Sequence, residues 1–268
     1  MIGRTIVLVL FLSAGWAVTP SASATTPRVG PLCLVTAHRG NTGVPQTIAT
    51  ENGLTAFHRA VAAGADYLET DVSATANDYP MLMHDATVDR TTDGTGTLRS
   101  KTAAQVRAMR LNDGSQVPYV AGLLAYAKLT NRTVLLELKA VGGSVWWSRV
   151  VNAIRTYGIG RVIVQSFHQT RLDKMHSLLP TVRLGFTTDH QVSVSTARKY
   201  GTLLIAYPAL TADYATALGD VAVHPWVENS PSAAWSRDMG HVDSVLTDQL
   251  TAAVAYRSTN PACVQASP

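Results

Sequence analysis

Short apolar stretches rich in valine, isoleucine and leucine alternate along this chain with longer segments in which apolar residues recur every three or four positions. The short stretches are typical of buried strands, and the longer segments are typical of amphipathic helices. Strands are predicted at 32–37, 67–73, 133–138, 161–167, 182–187, 203–207, 221–226 and 244–247. Helices are predicted at 51–63, 102–109, 118–128, 144–157, 169–179, 192–200, 211–218, 232–239 and 248–256. The chain is therefore expected to be an α/β protein.

This alternation of strands and helices indicates a parallel sheet whose strands are joined by crossover helices. Eight such units in a chain of 268 residues match a (β/α)8 TIM-type barrel, which typically needs about 250 residues. An open doubly wound sheet is the alternative, but it usually carries a glycine-rich nucleotide-binding turn after its first strand. No such turn is present, so the barrel is the predicted fold.

One further apolar run, 80–83, interrupts the alternation after a polar Asn77-Asp78 dipeptide. If these two residues form a tight turn, the run returns as an extra antiparallel hairpin strand after strand 2. Asp71 then lies directly opposite His84, with Cβ atoms about 5 Å apart. This register is a specific expectation that the structure can test.

The first 24 residues have the pattern of a secretory signal peptide. Arg4 provides a positive charge, 6–18 is apolar, and an Ala-Ser-Ala run ends at position 24. This combination is typical of a cleaved signal, and the apolar part is shorter than the roughly 20 residues that a membrane span needs. We therefore expect a secreted protein in which 25–268 forms a single catalytic domain without stable membrane insertion.

Two cysteines, Cys33 and Cys263, lie near the two ends of the expected mature chain. In an exported protein an even number of cysteines indicates a disulfide bond. In a barrel the first strand starts at the same end to which the last helix returns, so the two cysteines would be neighbours. Such a bridge would stabilise the fold by at most about 5 kcal/mol in the chain-entropy description.

The net charge of the chain limits the classes of molecule that it is expected to bind. The formal net charge is +4, and no dense run of lysine or arginine occurs. We therefore expect neither nucleic acid nor an anionic membrane as a partner. A modestly basic protein is compatible with a small anionic substrate.

Three acidic residues, Glu69, Asp71 and Glu137, lie at the carboxyl ends of two predicted strands. Glu69 and Asp71 are two positions apart and so project from the same face of one strand. Taken singly, each acid could cap a helix or pair with a basic residue. Together in one cavity they repel each other unless a cation lies among them. Ligands that are all oxygen favour Mg²⁺ or Ca²⁺ over zinc.

Two histidines, His38 and His84, flank the predicted metal position. Histidine suits general acid and base catalysis near neutral pH, and we interpret the other six histidines as structural. Arg39 and Lys139 add positive charge beside the acids. A metal, two cations and two proton-transfer groups suit the hydrolysis of a phosphodiester.

Eight motifs strengthen this interpretation because they occur together and in a fixed order. They are AHRG (37–40), EN (51–52), YLETDV (67–72), HD (84–85), DRTTDGTG (89–96), ELK (137–139), SF (166–167) and VDSVLTD (242–248). Through them the chain resembles the glycerophosphodiester phosphodiesterase family over nearly all of its expected mature length. Each motif alone is weak, whereas the set is specific.

The resemblance implies a TIM-type barrel that hydrolyses glycerophosphodiesters to glycerol 3-phosphate and an alcohol with one divalent cation. We favour Ca²⁺ over Mg²⁺ because calcium is abundant outside cells. The resemblance further implies the following roles: His38 and His84 as the acid–base pair, Glu69, Asp71 and Glu137 as metal ligands, Arg39 and Lys139 as phosphate contacts, Trp226 against the glycerol, and Glu51 as a metal ligand or a support for one.

The chain departs from the family pattern at two places. The family's Glu-Asn-Thr reads Glu51-Asn52-Gly53 here, and the gap between Gly40 and Glu51 is longer than usual. Near the seventh strand the family has Trp-Thr-Val-Asn, whereas this chain has Trp-Val-Glu-Asn at 226–229. Both departures lie where the alcohol headgroup would be recognised.

Three other functions remain open at this point. A phospholipase of the D or C type, acting on lysophospholipid or sphingomyelin, could use the same barrel, although the intact ELK motif speaks against the sphingomyelin-specific relatives. A glycosidase would use two carboxylates, about 5 or 6.5–9.5 Å apart, without a metal or paired histidines. A secreted binding module would keep the barrel without catalysis.

Overall fold

The computed structural model of the protein describes residues 33–230, 242–260 and 263. Its described strands form one sheet in the order β8-β7-β6-β5-β4-β2-β1-β9, with β3 paired only to β2. Their bounds are β1 Leu34–Ala37, β2 Tyr67–Ala74, β3 Pro80–Leu82, β4 Thr133–Ala140, β5 Val162–Ser166, β6 Arg183–Thr188, β7 Thr202–Ala206, β8 Ala222–Trp226 and β9 Ser244–Thr247.

Eight of these strands are parallel and form a nearly closed barrel. The strands β8 and β9 face each other across the seam. There the Asp243 amide donates to the Val223 carbonyl (2.8 Å) and the Glu228 amide donates to the Leu246 carbonyl (2.9 Å). The TIM-type barrel and its extra hairpin strand, predicted from the sequence, are thus confirmed.

Helices alternate with the strands as the apolar spacing predicts. Their bounds are α1 Leu54–Ala62, α2 Ala103–Ala108, α3 Val120–Leu129, α4 Ser144–Tyr157, α5 Gln169–Leu178, α6 Val194–Tyr200, α7 Ala212–Leu218 and α8 Leu250–Thr259. The predicted helix 232–239 and the predicted signal segment 1–24 lie outside the described residues. Among the residues the structure describes, no helix has the length and apolar character that crossing a membrane requires.

Side chains on opposite faces of each strand enter two different cores. On β4, Leu136 and Leu138 pack outward against the helices, whereas Leu135 faces the barrel interior with Ile163 and Leu204. This division follows from the two-residue period of a strand. By the same period Glu137 faces inward, one step above Leu135 towards the carboxyl end of the barrel.

The predicted register of the hairpin is wrong by one position. Val72 pairs with Leu82 and Ala74 with Pro80, so the residue opposite Asp71 is Met83, whose amide donates to the Asp71 carbonyl (3.0 Å). The connection is a five-residue loop, 75–79, rather than a two-residue turn. Within it Asp78 adopts a left-handed conformation (φ 59°).

The loop has this length because Thr75 holds it in place. The Thr75 hydroxyl accepts a hydrogen bond from the Tyr79 amide (3.0 Å), and the Thr75 amide donates to the Tyr79 carbonyl (3.1 Å). Threonine side chains commonly stabilise turns in this way. A shift of one position reverses which face each side chain takes, so the opposed Asp71–His84 pair does not form.

The predicted disulfide bond between Cys33 and Cys263 is present, with Cα atoms 5.6 Å apart. It joins residues separated by 230 positions. The bridge lies at the amino end of β1, on the opposite side of the barrel from the candidate site.

Candidate active site

Three carboxylates meet at the carboxyl end of the barrel. In the parallel pairing of β2 with β4, Asp71 is the partner of Glu137. Glu69 precedes Asp71 by two positions and faces the same way. One oxygen atom from each of the three carboxylates lies within 4.8 Å of the others, and all three residues are buried. The structure therefore brings together all three residues predicted to bind a metal.

The electrostatics of this group fit a cation. Burial, followed by the charge of Asp71, raises the pKa of Glu137 to about 7. Burial and the charges of Asp71 and Glu137 also raise the pKa of Glu69 well above its ordinary value. Such shifts mean that Glu69 and Glu137 resist ionisation in this group when no cation lies among the carboxylates. The all-oxygen donor set suits Ca²⁺ or Mg²⁺.

Neighbouring polar groups fix the orientation of these carboxylates. Glu69 accepts hydrogen bonds from the Arg39 amide (3.0 Å) and from Nε2 of Gln165 (3.1 Å). Asp71 accepts one from Nδ2 of Asn52 (3.0 Å) and forms an ion pair with Nε of Arg39 (3.2 Å). Each oxygen of Glu69 thus accepts one hydrogen bond and keeps a second lone pair for a ligand, whereas both contacts to Asp71 fall on Oδ2 and Oδ1 takes part in neither.

The His-Arg-Gly turn after β1 delivers Arg39 to this position. Arg39 and Gly40 both have positive φ angles, 53° and 79°. A Cβ atom on Gly40 would lie 2.9 Å from Cδ1 of Phe57 and 3.1 Å from the backbone of Ala56. Only glycine satisfies both constraints. The close approach of helix α1 in turn places Asn52, at its amino end, beside Asp71.

His38 is paired with Asp248, which directly follows the last strand of the barrel. Its Nδ1 atom lies 2.8 Å from Oδ1 of Asp248, which also accepts a hydrogen bond from Nδ2 of Asn41 (2.8 Å). Nδ2 of Asn229 donates to the other oxygen of Asp248 (3.2 Å). Burial alone would raise the pKa of Asp248, but these hydrogen bonds and the His38 ring hold it below its usual range.

His84 is also paired with an aspartate, its neighbour Asp85, at 2.7 Å. Arg90 donates to Asp85 through Nε (2.6 Å) and to both oxygens of Glu51 (2.9 and 2.7 Å). The hydrogen bonds from Arg90, and then that of His84, lower the pKa of Asp85. Each predicted catalytic histidine thus has a carboxylate on Nδ1, which leaves Nε2 for the cavity.

Glu51 lies outside the cluster of three carboxylates. Besides Arg90 it accepts a hydrogen bond from Arg39 (3.1 Å). Burial raises the pKa of Glu51, but its two arginine partners outweigh this effect and lower it. The geometry therefore favours the second of its two predicted roles, in which Glu51 supports other site residues.

Most of the predicted site residues line one cavity of about 250 Å³, but Asp71 and Glu51 are not among its lining residues. Lys139 lies there with Nζ 3.4 Å from Oε1 of Glu137. Trp226 packs edge-to-face against Phe167, with ring centroids 5.6 Å apart. The cavity is lined by His38, Arg39, Glu69, His84, Glu137, Lys139, Gln165, Phe167, Thr187, Leu204, Trp226, Val227 and Leu246. The lining therefore combines charged side chains with the apolar rings of Phe167 and Trp226.

Several residues of this site carried no predicted role. Asp85, Arg90 and Asp248 lie inside the motifs HD, DRTTDGTG and VDSVLTD. Their membership of these motifs is the sequence feature that could have identified them as site residues. Gln165 and Arg171 had no such signal. Arg171 donates to the backbone carbonyls of Leu138 and Lys139 (2.8 and 3.0 Å) and so holds the end of β4.

Comparison with known proteins agrees with this geometry. The sequence model of the Glycerophosphoryl diester phosphodiesterase family matches residues 38–252. A glycerophosphodiester phosphodiesterase of Caldanaerobacter subterraneus is 29% identical over 165 residues, which are 57% of this chain and 65% of that protein. Human glycerophosphodiester phosphodiesterase 1 is 47% identical over 112 residues, 38% of this chain and 33% of that protein. The aligned regions thus span less than two thirds of these relatives.

Solved structures share the fold. A phosphodiesterase of Oleispira antarctica, in complex with the product sn-glycerol-3-phosphate, superposes with a TM-score of 0.77 at 20% identity, covering 84% of this chain and 97% of that one. A glycerophosphodiester phosphodiesterase of Agrobacterium tumefaciens gives a TM-score of 0.70 at 23% identity, covering 82% and 99%.

Proposed function

Since the chain belongs to the glycerophosphoryl diester phosphodiesterase family, we propose that it hydrolyses glycerophosphodiesters to glycerol 3-phosphate and an alcohol. The observation that carries this proposal is the cavity in which His38 and His84 face Glu69 and Glu137. The product named for the Oleispira structure, sn-glycerol-3-phosphate, supports a small anionic substrate.

Glu69, Asp71 and Glu137 would hold one divalent cation, and we propose Ca²⁺ rather than Mg²⁺. When bound, such a cation neutralises charge on phosphoryl oxygens and acts as a Lewis acid. Arg39 and Lys139, which line the same cavity, supply fixed positive charge that binds and orients the phosphodiester.

Proton transfer falls to the two histidines. One takes a proton at Nε2 from the nucleophile as its oxygen bonds to phosphorus. The other gives a proton to the alcohol oxygen as the phosphorus–oxygen bond breaks. Water as nucleophile gives glycerol 3-phosphate directly, whereas the substrate's own glycerol hydroxyl gives a cyclic phosphate that a water molecule then opens to the same product. Asp248 and Asp85 hold the two rings by Nδ1, which fixes the tautomer required for both transfers.

The apolar wall formed by Trp226 and Phe167 suits the carbon face of the glycerol. Nζ of Lys139 lies 5.8 Å above the Phe167 ring, so the charged and apolar walls meet at this point. The glycerol would pack on Trp226 while its phosphate reaches Lys139.

The direct test measures the release of glycerol 3-phosphate from a panel of glycerophosphodiesters with Ca²⁺, Mg²⁺ or a chelator. We expect activity with a divalent cation, loss of activity on chelation, and a loss of at least about 100-fold in His38→Ala and His84→Ala. Activity that survives exhaustive chelation, or that survives in both variants, would refute the proposal. The exposed His176→Ala variant is the matched control.

A lipid-directed phospholipase is the second candidate. Phe167 is 39% exposed at the cavity wall, and an exposed aromatic ring at the mouth could contact an acyl chain. Turnover of a water-soluble diester compared with that of lysophospholipid micelles separates the two functions. Faster turnover of the micellar substrate would favour the phospholipase.

We also propose that the protein is exported and that 25–268 is its catalytic domain. The disulfide bond between Cys33 and Cys263 supports an oxidising compartment, where such bonds persist. Amino-terminal sequencing of the protein recovered outside the cells tests this, and we expect a first residue at or close to Thr25.

A further inference from the structure

A second cavity adjoins the first, and the two share His38 and Arg39 as a common wall. The other residues that line this second cavity, of about 320 Å³, are Asn41, Gly43, Val44, Gln46, Glu51, Asp248 and Gln249. A phosphodiester has two ester arms that diverge from one phosphorus atom. If the phosphate lies at the shared wall, one arm enters each cavity.

We propose that this second cavity, the amide cavity, binds the leaving alcohol and selects polyhydroxylated alcohols such as glycerol over choline. The inference rests on the proposed function, because it takes the phosphodiester chemistry at His38 and Arg39 as given. It adds a preference among substrates that the family assignment does not state.

The two carboxylates of the amide cavity are already engaged. Glu51 accepts hydrogen bonds from the guanidinium groups of Arg39 and Arg90. Asp248 accepts hydrogen bonds from Asn41 and Asn229 and pairs with His38. Protein donors therefore already engage both carboxylates, and the neighbouring amides are the groups left to bind a ligand.

The three amide side chains retain hydrogen-bonding capacity. Asn41 uses one proton on Asp248 (2.8 Å), and Gln46 uses one on Oδ1 of Asn41 (3.3 Å). Each therefore keeps a second N–H group. The Gln249 side chain takes part in none of the hydrogen bonds formed among the described residues, so its donor and its acceptor are both available to a ligand.

Gly43 makes room for Gln249. A Cβ atom at Gly43 would lie 2.6 Å from Oε1 of Gln249, and Gly43 has a φ of 90°. The positive φ favours glycine at this position of the loop, and the absence of a side chain leaves room for the end of the Gln249 side chain. The loop is the longer gap that distinguishes this chain, so its conformation places the Gln249 amide at the cavity wall.

The chemistry of this lining discriminates between alcohols. Hydroxyl groups both donate to and accept from amides, whereas a quaternary ammonium can do neither and is bound by aromatic faces. Among residues 33–230 and 242–260, the amide cavity is lined by no phenylalanine, tyrosine or tryptophan. A polyhydroxylated alcohol therefore fits the cavity better than choline does.

The test compares kcat/KM for glycerophosphoglycerol and glycerophosphocholine in the full chain with its divalent cation. We expect the wild type to favour glycerophosphoglycerol by at least about tenfold, because amide–hydroxyl hydrogen bonds are made only with that substrate. Gln249→Leu keeps the size of the side chain but cannot form these bonds, and it should narrow the ratio to about threefold or less. Gln249→Ala should act in the same direction.

Gln191→Ala is the matched control, because Gln191 lies in the exposed loop before α6 and bonds to the Ala209 carbonyl. The ratio of kcat/KM for glycerophosphoglycerol to kcat/KM for glycerophosphocholine should be the same in this variant as in the wild type. Equal kcat/KM for both substrates in the wild type, or a ratio unchanged in both Gln249 variants, overturns this inference and leaves the proposed function intact. Absence of hydrolysis with every diester would overturn both.

Discussion

Nδ1 of His38 lies 2.8 Å from Oδ1 of Asp248, although 210 positions separate the two residues in the chain. His38 follows the first barrel strand and Asp248 follows the last, so the contact exists only because the barrel brings β1 beside β9. Lowering of the Asp248 pKa keeps this carboxylate ionised. It can therefore hold the His38 ring with Nε2 towards the substrate.

Replacing Asp248 by asparagine should lower kcat/KM for a glycerophosphodiester by about 100- to 10,000-fold, because an amide no longer fixes the productive tautomer. The fold should persist, since the amide oxygen of the new side chain can still accept a hydrogen bond from Nδ2 of Asn41 or of Asn229. Activity assays alongside thermal unfolding measure both effects. Asp189→Asn is the control, because Asp189 forms a similar pair with His190 (2.6 Å) at an exposed position. Near-normal activity in Asp248→Asn would contradict the role given to this aspartate.

Arg90 connects the His84–Asp85 pair to Glu51 through four hydrogen bonds. Arg90→Lys keeps the charge but cannot bond to both carboxylates in the same geometry. We expect kcat/KM to fall about tenfold or more, because Asp85 then holds His84 less firmly. Arg110→Lys changes an exposed arginine of the same segment and should have no effect. Equal activities of the two variants would show that Arg90 does not position His84.

The raised pKa of Glu137 predicts how the metal-free protein responds to pH. Glutamate titrates near 4.5 in the unfolded chain and at about 7 in the folded protein. Between pH 4.5 and 7, Glu137 is ionised in the unfolded chain but still protonated in the folded protein. The free energy of unfolding is therefore highest below pH 4.5 and declines as the pH rises to 7. The decline attributable to this group is about 3 kcal/mol.

Chemical denaturation in a chelator at several pH values between 4.5 and 7.5 measures this decline. Glu137→Gln should lose much less stability over this range, because its side chain does not ionise. Ca²⁺ should remove most of the decline from the wild type, because a bound cation favours the ionised carboxylates. Identical pH dependence of the wild type and Glu137→Gln in the chelator would contradict the assignment.

The disulfide bond should contribute to stability without affecting catalysis. A Cys33→Ser, Cys263→Ser double variant should lose about 2–5 kcal/mol of unfolding free energy, because the bridge restricts the unfolded chain over 230 positions. Its kcat/KM at 25 °C should equal that of the wild type, since the bridge lies at the other end of the barrel. Urea denaturation of the variant, and of the reduced wild type as a control, measures the loss. No difference from the oxidised wild type would refute the prediction.

Much of the fold could be predicted from local patterns. The strand bounds agree with the apolar runs to within one or two positions, because a buried barrel strand needs apolar side chains on both faces. The group of Glu69, Asp71 and Glu137 could also be predicted. In a parallel barrel all strands end at the same rim, so acids at strand ends converge whatever the detailed register.

The register of the β2–β3 hairpin could not be predicted from the local sequence. The Asn77-Asp78 dipeptide predicts a two-residue turn, but the Thr75 hydroxyl and the left-handed Asp78 stabilise a five-residue loop. A turn has no hydrophobic period from which its length can be predicted. A shift of one position in the pairing of β2 with β3 places Met83, and not His84, opposite Asp71. His84 still enters the site, held by Asp85 instead.

The sequence by itself determined the alternation of strands and helices and the identity of the acids, histidines and cysteines, because burial and side-chain chemistry act residue by residue. Only the tertiary structure decided which polar groups pair: Asp248 with His38, Arg90 with Glu51, and Gln165 with Glu69. These partners are 39 to 210 positions apart, and closure of the barrel brings them within hydrogen-bonding distance. Nothing in the local sequence around either partner specifies the other.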